Sequence, residues 1–280
     1  MPNSALQTAF RDETIAGFEK NKSLLSQTVT TEYDVRAGNA TFLVADSGGR
    51  TATTRGLNGL IPAGVDNLNQ YTVPLTEWHD KVIRTSYNLW ASQGDGQAIM
   101  QRTVRAGLNR KRDEDIIAAL STSTQLTPSA GVAANLSMIA QAKTILGNNF
   151  ASGGDVYGVI TSAFHGHLMK LREFTSTDWV DGKKYERSEE DDMNVSFEWY
   201  GVKWIVNDAL PGVNTPLAKC YMYNKRAVGH ACDTDGMTVE ADYRAEQNYS
   251  WAMSTAYMGT ALLQQAGVVT MPHDDSLALL

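Results

Sequence analysis

The stretch that most limits what this chain can become is residues 97–120, QAIMQRTVRAGLNRKRDEDIIAAL, its longest helical pattern. Apolar side chains recur at Ile99, Met100, Val104, Leu108, Ile116, Ile117 and Leu120 along one side of a helix, while Arg102, Arg105, Arg110 and Arg112 crowd the remainder. Asp95 or Ser92 is placed to cap the start, and the polar run STSTQ at 121–125 to stop it. At helical rise such a rod is about 36 Å long, enough to span a small domain. Every other element has to be placed relative to it.

Composition bounds the rest. With 280 residues, 42% hydrophobic and 20% charged, the chain buries a sizeable core as one large or two moderate domains. The 24 Lys and Arg against 31 Asp and Glu leave a net charge of −7, which argues against the strong positive field of a dedicated nucleic-acid binder but leaves room for a local basic patch. No basic region followed by an apolar run opens the chain and no 18-residue apolar stretch occurs. Neither a signal peptide nor a membrane span is therefore expected, and synthesis is expected in the cytoplasm. Cys220 and Cys232 are too few for a disulfide framework and are expected to stay thiols.

Along the chain, residues 1–32 read as a polar arm with weak helical spacing at Ile15, Phe18, Leu24 and Leu25, too little apolar surface to fold alone. Two β-rich runs follow, 33–44 and 70–90, bracketing a glycine- and threonine-rich stretch at 45–67. That pattern reads as a long two-stranded ribbon with a loose tip or as a flexible surface loop, and a two-stranded ribbon needs support from a neighbour. After the long helix the texture changes. Residues 135–146 predict a helix with Gly147 as its C-cap, 156–161 a buried strand, and Ser162 the cap of a helix through Arg172. Residues 173–198 read as an insertion ending near the acidic run Glu189, Glu190, Asp191 and Asp192, a solvated face or a divalent-cation loop. Strands resume at 195–206, with Gly201 marking a hairpin or bulge, then at 217–223, 237–244, 249–263 and 268–271.

Chemistry is thin in this pattern. There is no Walker-type phosphate cradle and no GxSxG elbow. The one constellation to weigh is His165 and His167 with His230 and Cys232, a set with zinc-ligand chemistry, although i and i+2 on a helix point to different sides. Asp113, Glu114 and Asp115 lie among the basic residues of the long helix, where intrahelical pairing accounts for them.

The order of parts, together with the phrases RAGLNRKRDEDIIAAL in the long helix and YNKRAVGHA further on, resembles the major capsid protein of tailed bacteriophages, the HK-type fold shared with herpesvirus capsid proteins and encapsulins. The resemblance implies an α+β chain: an N-terminal arm at 1–32, an E-loop β-ribbon at 33–83, a peripheral (P) domain from 84–127 and 237–280 around the spine helix 97–120, and an axial (A) domain at 128–236 with its insertion at 173–198. It implies a structural protein, not an enzyme, with no cofactor. Copies would assemble as hexamers and pentamers into an icosahedral virion shell around double-stranded DNA, with a separate scaffolding protein and a portal as partners and no membrane. Contacts between subunits are expected at Phe18, Leu24, Arg50, Arg55 and Leu57. Genome-facing charge is expected at Arg102, Arg105, Arg110, Lys111 and Arg112, with a solvated helix face equally open for them. Two other readings stay open: an encapsulin-like compartment shell with enzyme cargo, and a zinc-dependent hydrolase using His165, His167, His230 and Cys232.

Overall fold

In a computed structural model, which describes residues 22–33, 35–36, 38–46, 51–61, 67–85, 96–128, 131–175 and 196–277, the long helical pattern forms α1, Gly96–Ser121. Its end is stopped by hydroxyls as expected: Ser121 Oγ donates to the Ala118 carbonyl at 2.6 Å and Thr122 Oγ1 to that of Ala119 at 2.7 Å, satisfying carbonyls that have no helical partner. The expected caps Asp95 and Ser92 lie outside the described residues. The apolar stripe divides in two. Met100 and Val104 pack with Ala252, Val82, Val239 and Ala241, whereas Ile116, Ile117, Ala119 and Leu120 enter a different and larger core. Positions 104 and 116 are twelve residues apart and so point about 120° apart around a 3.6-residue helix. One rod therefore serves two cores.

The first core lies against a four-stranded sheet of order β1-β10-β11-β5, built from β1 (Thr30–Glu32), β5 (Thr76–Thr85), β10 (Val228–Arg244) and β11 (Tyr249–Leu262), with strands numbered in chain order. Along β11 the buried face reads Ser250, Ala252, Ser254, Ala256, the alternation of a strand with one face covered. Small side chains let α1 come close enough for Ser254 Oγ to donate to the Val104 carbonyl at 2.9 Å.

The opposite face of that sheet carries the ribbon. β3 (Asn39–Asp46) pairs antiparallel with β4 (Asn67–Pro74) from Asn39 opposite Pro74 to Asp46 opposite Asn67, and β2 (Val35–Arg36) adds a short third strand. Ala40, Phe42 and Val73 are buried with Ala231 and Leu263, which supplies the support a free ribbon lacks. The floor beneath them is Gly229 opposite Ala261 and Ala231 opposite Gly259. A Cβ on Gly229 would lie 2.9 Å from the Phe42 ring, and one on Gly259 would meet the Pro74 carbonyl. Over its described part, 70–85, the extended run expected at 70–90 is thus two strands in different sheets, β4 in the ribbon and β5 in the sheet below; 86–90 lie outside the described residues.

The larger core belongs to a five-stranded sheet of order β12-β9-β6-β8-β7, made of β6 (Val156–Ile160), β7 (Ser196–Trp199), β8 (Val202–Val206), β9 (Ala218–Asn224) and β12 (Val268–His273). Helix α2 (Leu136–Asn148) lays Met138, Ile139, Ala142 and Leu146 against it. Asn135 caps α2, accepting from the Met138 N–H at 2.9 Å; Gly147 lies inside the helix, and Asn149 takes the C-cap expected of it. The hairpin expected at Gly201 is present, with Tyr200 and Gly201 both at positive φ, 59° and 67°, the twist-matched turn of a tight hairpin. Its strand β7 takes in residues 196–198 of the expected insertion, while the acidic run 189–192 lies outside the described residues. The strand expected to close the chain beside β10 and β11 instead pairs with β9, from Val268 opposite Tyr223 to His273 opposite Ala218. β10 begins at Val228, nine residues before the strand expected at 237, and bulges between Cys232 and Met237.

The short helix α3 (Ser162–Leu168) is capped by Thr161, not Ser162: Thr161 Oγ1 accepts from the Phe164 N–H at 3.1 Å, while the Ser162 hydroxyl donates to Asp208 at 2.6 Å. A separate short turn, α4 (Arg172–Thr175), follows in place of one continuous helix. The Thr161 hydroxyl also donates to Asp275 at 2.7 Å, and Asp275 is joined by His273 Nε2 at 3.0 Å and by the Asn214 N–H at 3.0 Å. This buried cluster fastens the end of the described chain to the start of α3. Burial alone would raise the Asp275 carboxyl, but the hydrogen bonds from Asn214, Thr161 and His273 outweigh it and hold its pKa below the ordinary carboxylate value.

Two measurements follow from this packing. Gly158 sits opposite Trp204, and a Cβ there would clash with the indole ring, so Gly158→Ala is expected to cost about 1–3 kcal/mol in urea unfolding, the range for an overpacked core. The Asp275 contribution is present above the unfolded-state pKa of about 3.9 and is lost as pH falls through the lower folded value. Acid unfolding is therefore expected to begin at higher pH in wild type than its plateau stability alone would give, and Asp275→Asn to be less stable than wild type at neutral pH with a flatter profile below about pH 4.

Candidate functional site

The four residues with zinc-ligand chemistry do not form a site. His165 is buried with its ring 5.1 Å from Phe197 and edge-on to Phe174 at 6.1 Å, and burial lowers its pKa. His230 and Cys232 are on β10, in the other sheet from α3 and its histidines. His230 Nδ1 meets Thr260 Oγ1 at 2.9 Å, and burial with the nearby Arg112 guanidinium pushes its pKa down to about 4. Cys232 Sγ accepts from Arg112 Nη2 at 3.6 Å. Among the described residues no group of three or more His, Cys, Asp or Glu is arranged to hold a metal ion.

The expected arm is partly built into the chain's own fold. Leu25 and Val29 are fully buried in the larger core, Leu24 packs half-buried against it, and β1 pairs in parallel with β10 from Thr30 opposite Gly229. Asp113 holds this segment to α1. Its carboxylate accepts from Ser23 Oγ at 2.5 Å, from the Leu24 N–H at 3.1 Å and from the Leu25 N–H at 3.2 Å. Intrahelical pairing, expected for all three acids of that run, is made by Asp115 with Lys111 at 2.9 Å, whereas Asp113 is buried and its carboxylate also holds the segment at 23–25. Leu24, expected at a subunit contact, spends its side chain on its own core, and Phe18 and Arg50 lie outside the described residues.

The ribbon tip is different. Residues 51–61 are all exposed, Arg55 included, with Leu57, Leu60 and Ile61 each at least 69% accessible and a turn closed by the Gly56 N–H on the Leu60 carbonyl at 3.0 Å. Leu43 and Leu68 extend the apolar surface down the ribbon. Scattered apolar residues are normal on a surface, but Leu57, Leu60 and Ile61 fall together within one exposed turn.

The basic residues of α1 separate by position. Lys111 is committed to Asp115 and lies over the Trp78 ring at 4.1 Å, and Arg110 is exposed away from any cavity lining described. Arg105 and Arg112 line a cavity of about 850 Å³ between α1 and the segment 26–33, together with Lys225 and His230. An adjoining cavity of about 590 Å³ shares Arg105 and Arg112 and adds Lys22 and Arg102. Among the described residues, Arg112 Nε and His230 Nε2 are buried there with no hydrogen-bond partner. Lys22 and Lys225 were not legible as groove residues, since no spacing in the sequence links them to α1. Removing the Asp113 carboxylate, as in Asp113→Ala, leaves three donors without their acceptor; it is expected to cost about 3 kcal/mol and to open residues 22–29 to limited proteolysis while the rest of the chain resists.

Comparison with known proteins joins these surfaces to a family. A family model described as phage capsid protein matches residues 3–275. No curated protein matches the sequence. Among solved structures, one from Mycobacterium phage Che8 superposes with a TM-score of 0.70 at 14% identity, covering 97% of this chain and 98% of its own. The capsid of Ralstonia phage GP4 superposes at 0.68 with 12% identity, covering 97% and 96%, and the capsid of a native GTA particle at 0.64 with 13% identity, covering 95% and 94%. The likeness extends over the whole α+β architecture, ribbon and long helix included, and with the family match over nearly all of its length the chain belongs to the phage capsid proteins, as a structural major capsid protein of the virion shell.

Proposed function

We propose that copies of this chain, made in the host cytoplasm, assemble as hexamers and pentamers into a closed icosahedral shell around double-stranded DNA, with a separate scaffolding protein and a portal. On this reading the four-stranded sheet with α1 is the peripheral domain, the five-stranded sheet with α2 and α3 is the axial domain, and the ribbon is the E-loop that reaches a neighbour. The observation that carries it is the ribbon: its root is fixed on Gly229 and Gly259 while its tip presents Leu57, Leu60 and Ile61 to no core of its own chain. Covering three such side chains in an adjacent copy contributes about 1.5–3 kcal/mol each, repeated at every contact around a closed shell.

Electron microscopy of the protein expressed with its neighbouring genes is expected to show closed shells, and their absence would reject the assembly reading. Changing Leu57, Leu60 and Ile61 together to Ser is expected to leave the circular dichroism of the subunit unchanged and to lower shell yield at least about tenfold, since the lost burial recurs at each contact. Normal shell yield in that variant would remove the tip from the interface.

A further inference from the structure

We infer that the groove between α1 and the segment at 22–33 is a track for the phosphodiester backbone of the packaged nucleic acid, with Lys22, Arg102, Arg105, Arg112 and Lys225 as its cations. The inference rests on the capsid reading, which supplies the nucleic acid. Its two cavities share Ser26, Gln27, Arg105, Asn109 and Arg112 and so form one continuous groove. Among the described residues no Asp or Glu lines it, although the chain carries a net charge of −7. Elsewhere Lys111 and Lys203 each have a carboxylate at 2.9 Å, so the one-sign lining is a local property of the groove.

Inside it, two polar atoms await a partner. His230 is 1% exposed, its Nδ1 is engaged by Thr260, and its Nε2 is buried without a hydrogen bond; Arg112 Nε is in the same state. A guanidinium fork with a free N–H beside an imidazole matches an anionic oxygen, and phosphate is the anion that arginine forks recognise best alongside carboxylate. From Arg102 to Arg112 the helix rises about 15 Å. That length spans about four nucleotides at 3.4 Å per step of one strand. The amide of Gln27 adds a donor suited to phosphate oxygens, a contact that positions a duplex without reading its sequence. An acidic peptide would meet the same arginine cluster, so it is the capsid reading that favours nucleic acid here, and the test separates the two.

The test uses the purified full-length protein and a fluorescein-labelled random duplex of about 24 base pairs, followed by anisotropy from about 50 to 200 mM salt. Arg105→Gln and Lys225→Gln are each expected to reduce the slope of log affinity against log salt by about 0.9, equally for unrelated duplex sequences. Arg110→Gln, on another side of α1, is expected to leave the slope unchanged, and thermal melts confirm that each variant is folded. Wild-type slopes in both groove variants, or an equal loss in Arg110→Gln, overturn the proposal. So does poly-glutamate of matched charge binding more tightly than the duplex, an outcome that assigns the groove to an acidic peptide. In particles, shells of the Arg105→Gln, Lys225→Gln double variant are expected to hold less nuclease-protected DNA than wild type. Equal DNA content in such shells overturns the groove alone, whereas a wild-type protein that forms no shell overturns the capsid reading itself.

Discussion

The structure depends on one rod having to be buried on two sides. Met100 and Val104 commit the first half of α1 to the four-stranded sheet, and Ile116, Ile117 and Leu120 commit the second half to the core of the five-stranded sheet. Because the two sets point about 120° apart, neither sheet can shift along or around the helix without dragging the other set out of its core. The segment at 23–32 strengthens this coupling. Leu25 and Val29 fill the larger core while β1 joins the other sheet, and Asp113 pins the turn between α1 and both. A shell subunit has to pass lateral force from its edges through its middle, and a helix anchored in two cores does so without a hinge.

The four-stranded sheet is the second consequence. Covered by α1 on one face and by the ribbon root on the other, it must be thin on both, and the sequence is small on both: Ser250, Ala252, Ser254 and Ala256 towards the helix, Gly229, Ala231, Gly259 and Ala261 towards the ribbon. The glycines weaken the strands by removing side chains to pack, and the close seating of Phe42 and Val73 offsets this by burying the ribbon root. Rooted in this way, the ribbon can project an apolar tip that its own chain does not cover.

What was legible in the sequence was local. The periodicity of α1, its hydroxyl stop at 121–122 and the positive-φ turn at Tyr200 and Gly201 are each set by a few neighbouring residues, and each stands where it was expected. What was not legible was decided by partners far along the chain. The run 70–90 has uniform β character, and only pairing with β3 on one side of Leu75 and β11 on the other divides it. β12 follows β11 closely yet pairs with β9, a choice between sheets that its apolar residues suit equally. Thr161 displaced Ser162 as a cap because Asp208 claims the serine and Asp275 orients the threonine. Asp113, one of three adjacent acids, is distinguished from Asp115 only by the segment at 23–25 that turns onto it. The order of arm, ribbon, spine helix and mixed core carried the resemblance through these local errors, since it does not depend on any one boundary.

Charge placement follows the same division between what the subunit settles within itself and what it leaves open. Lys203 is paired with Asp155 and Lys111 with Asp115, arrangements that are close to neutral in energy at a surface and need nothing from outside. The groove cations Arg105 and Arg112 on α1, with Lys22 and Lys225 beside them, are instead gathered together, and among the described residues no carboxylate lines the space between them. Gathered like charges repel in the free subunit, and burial of Arg112 Nε and His230 Nε2 without partners adds to that cost. An anion in the groove would relieve both terms. On the proposed reading, a chain with a net charge of −7 that gathers positive charge in one groove gains stability when a polyanion binds there, so genome and shell would stabilise one another through this surface.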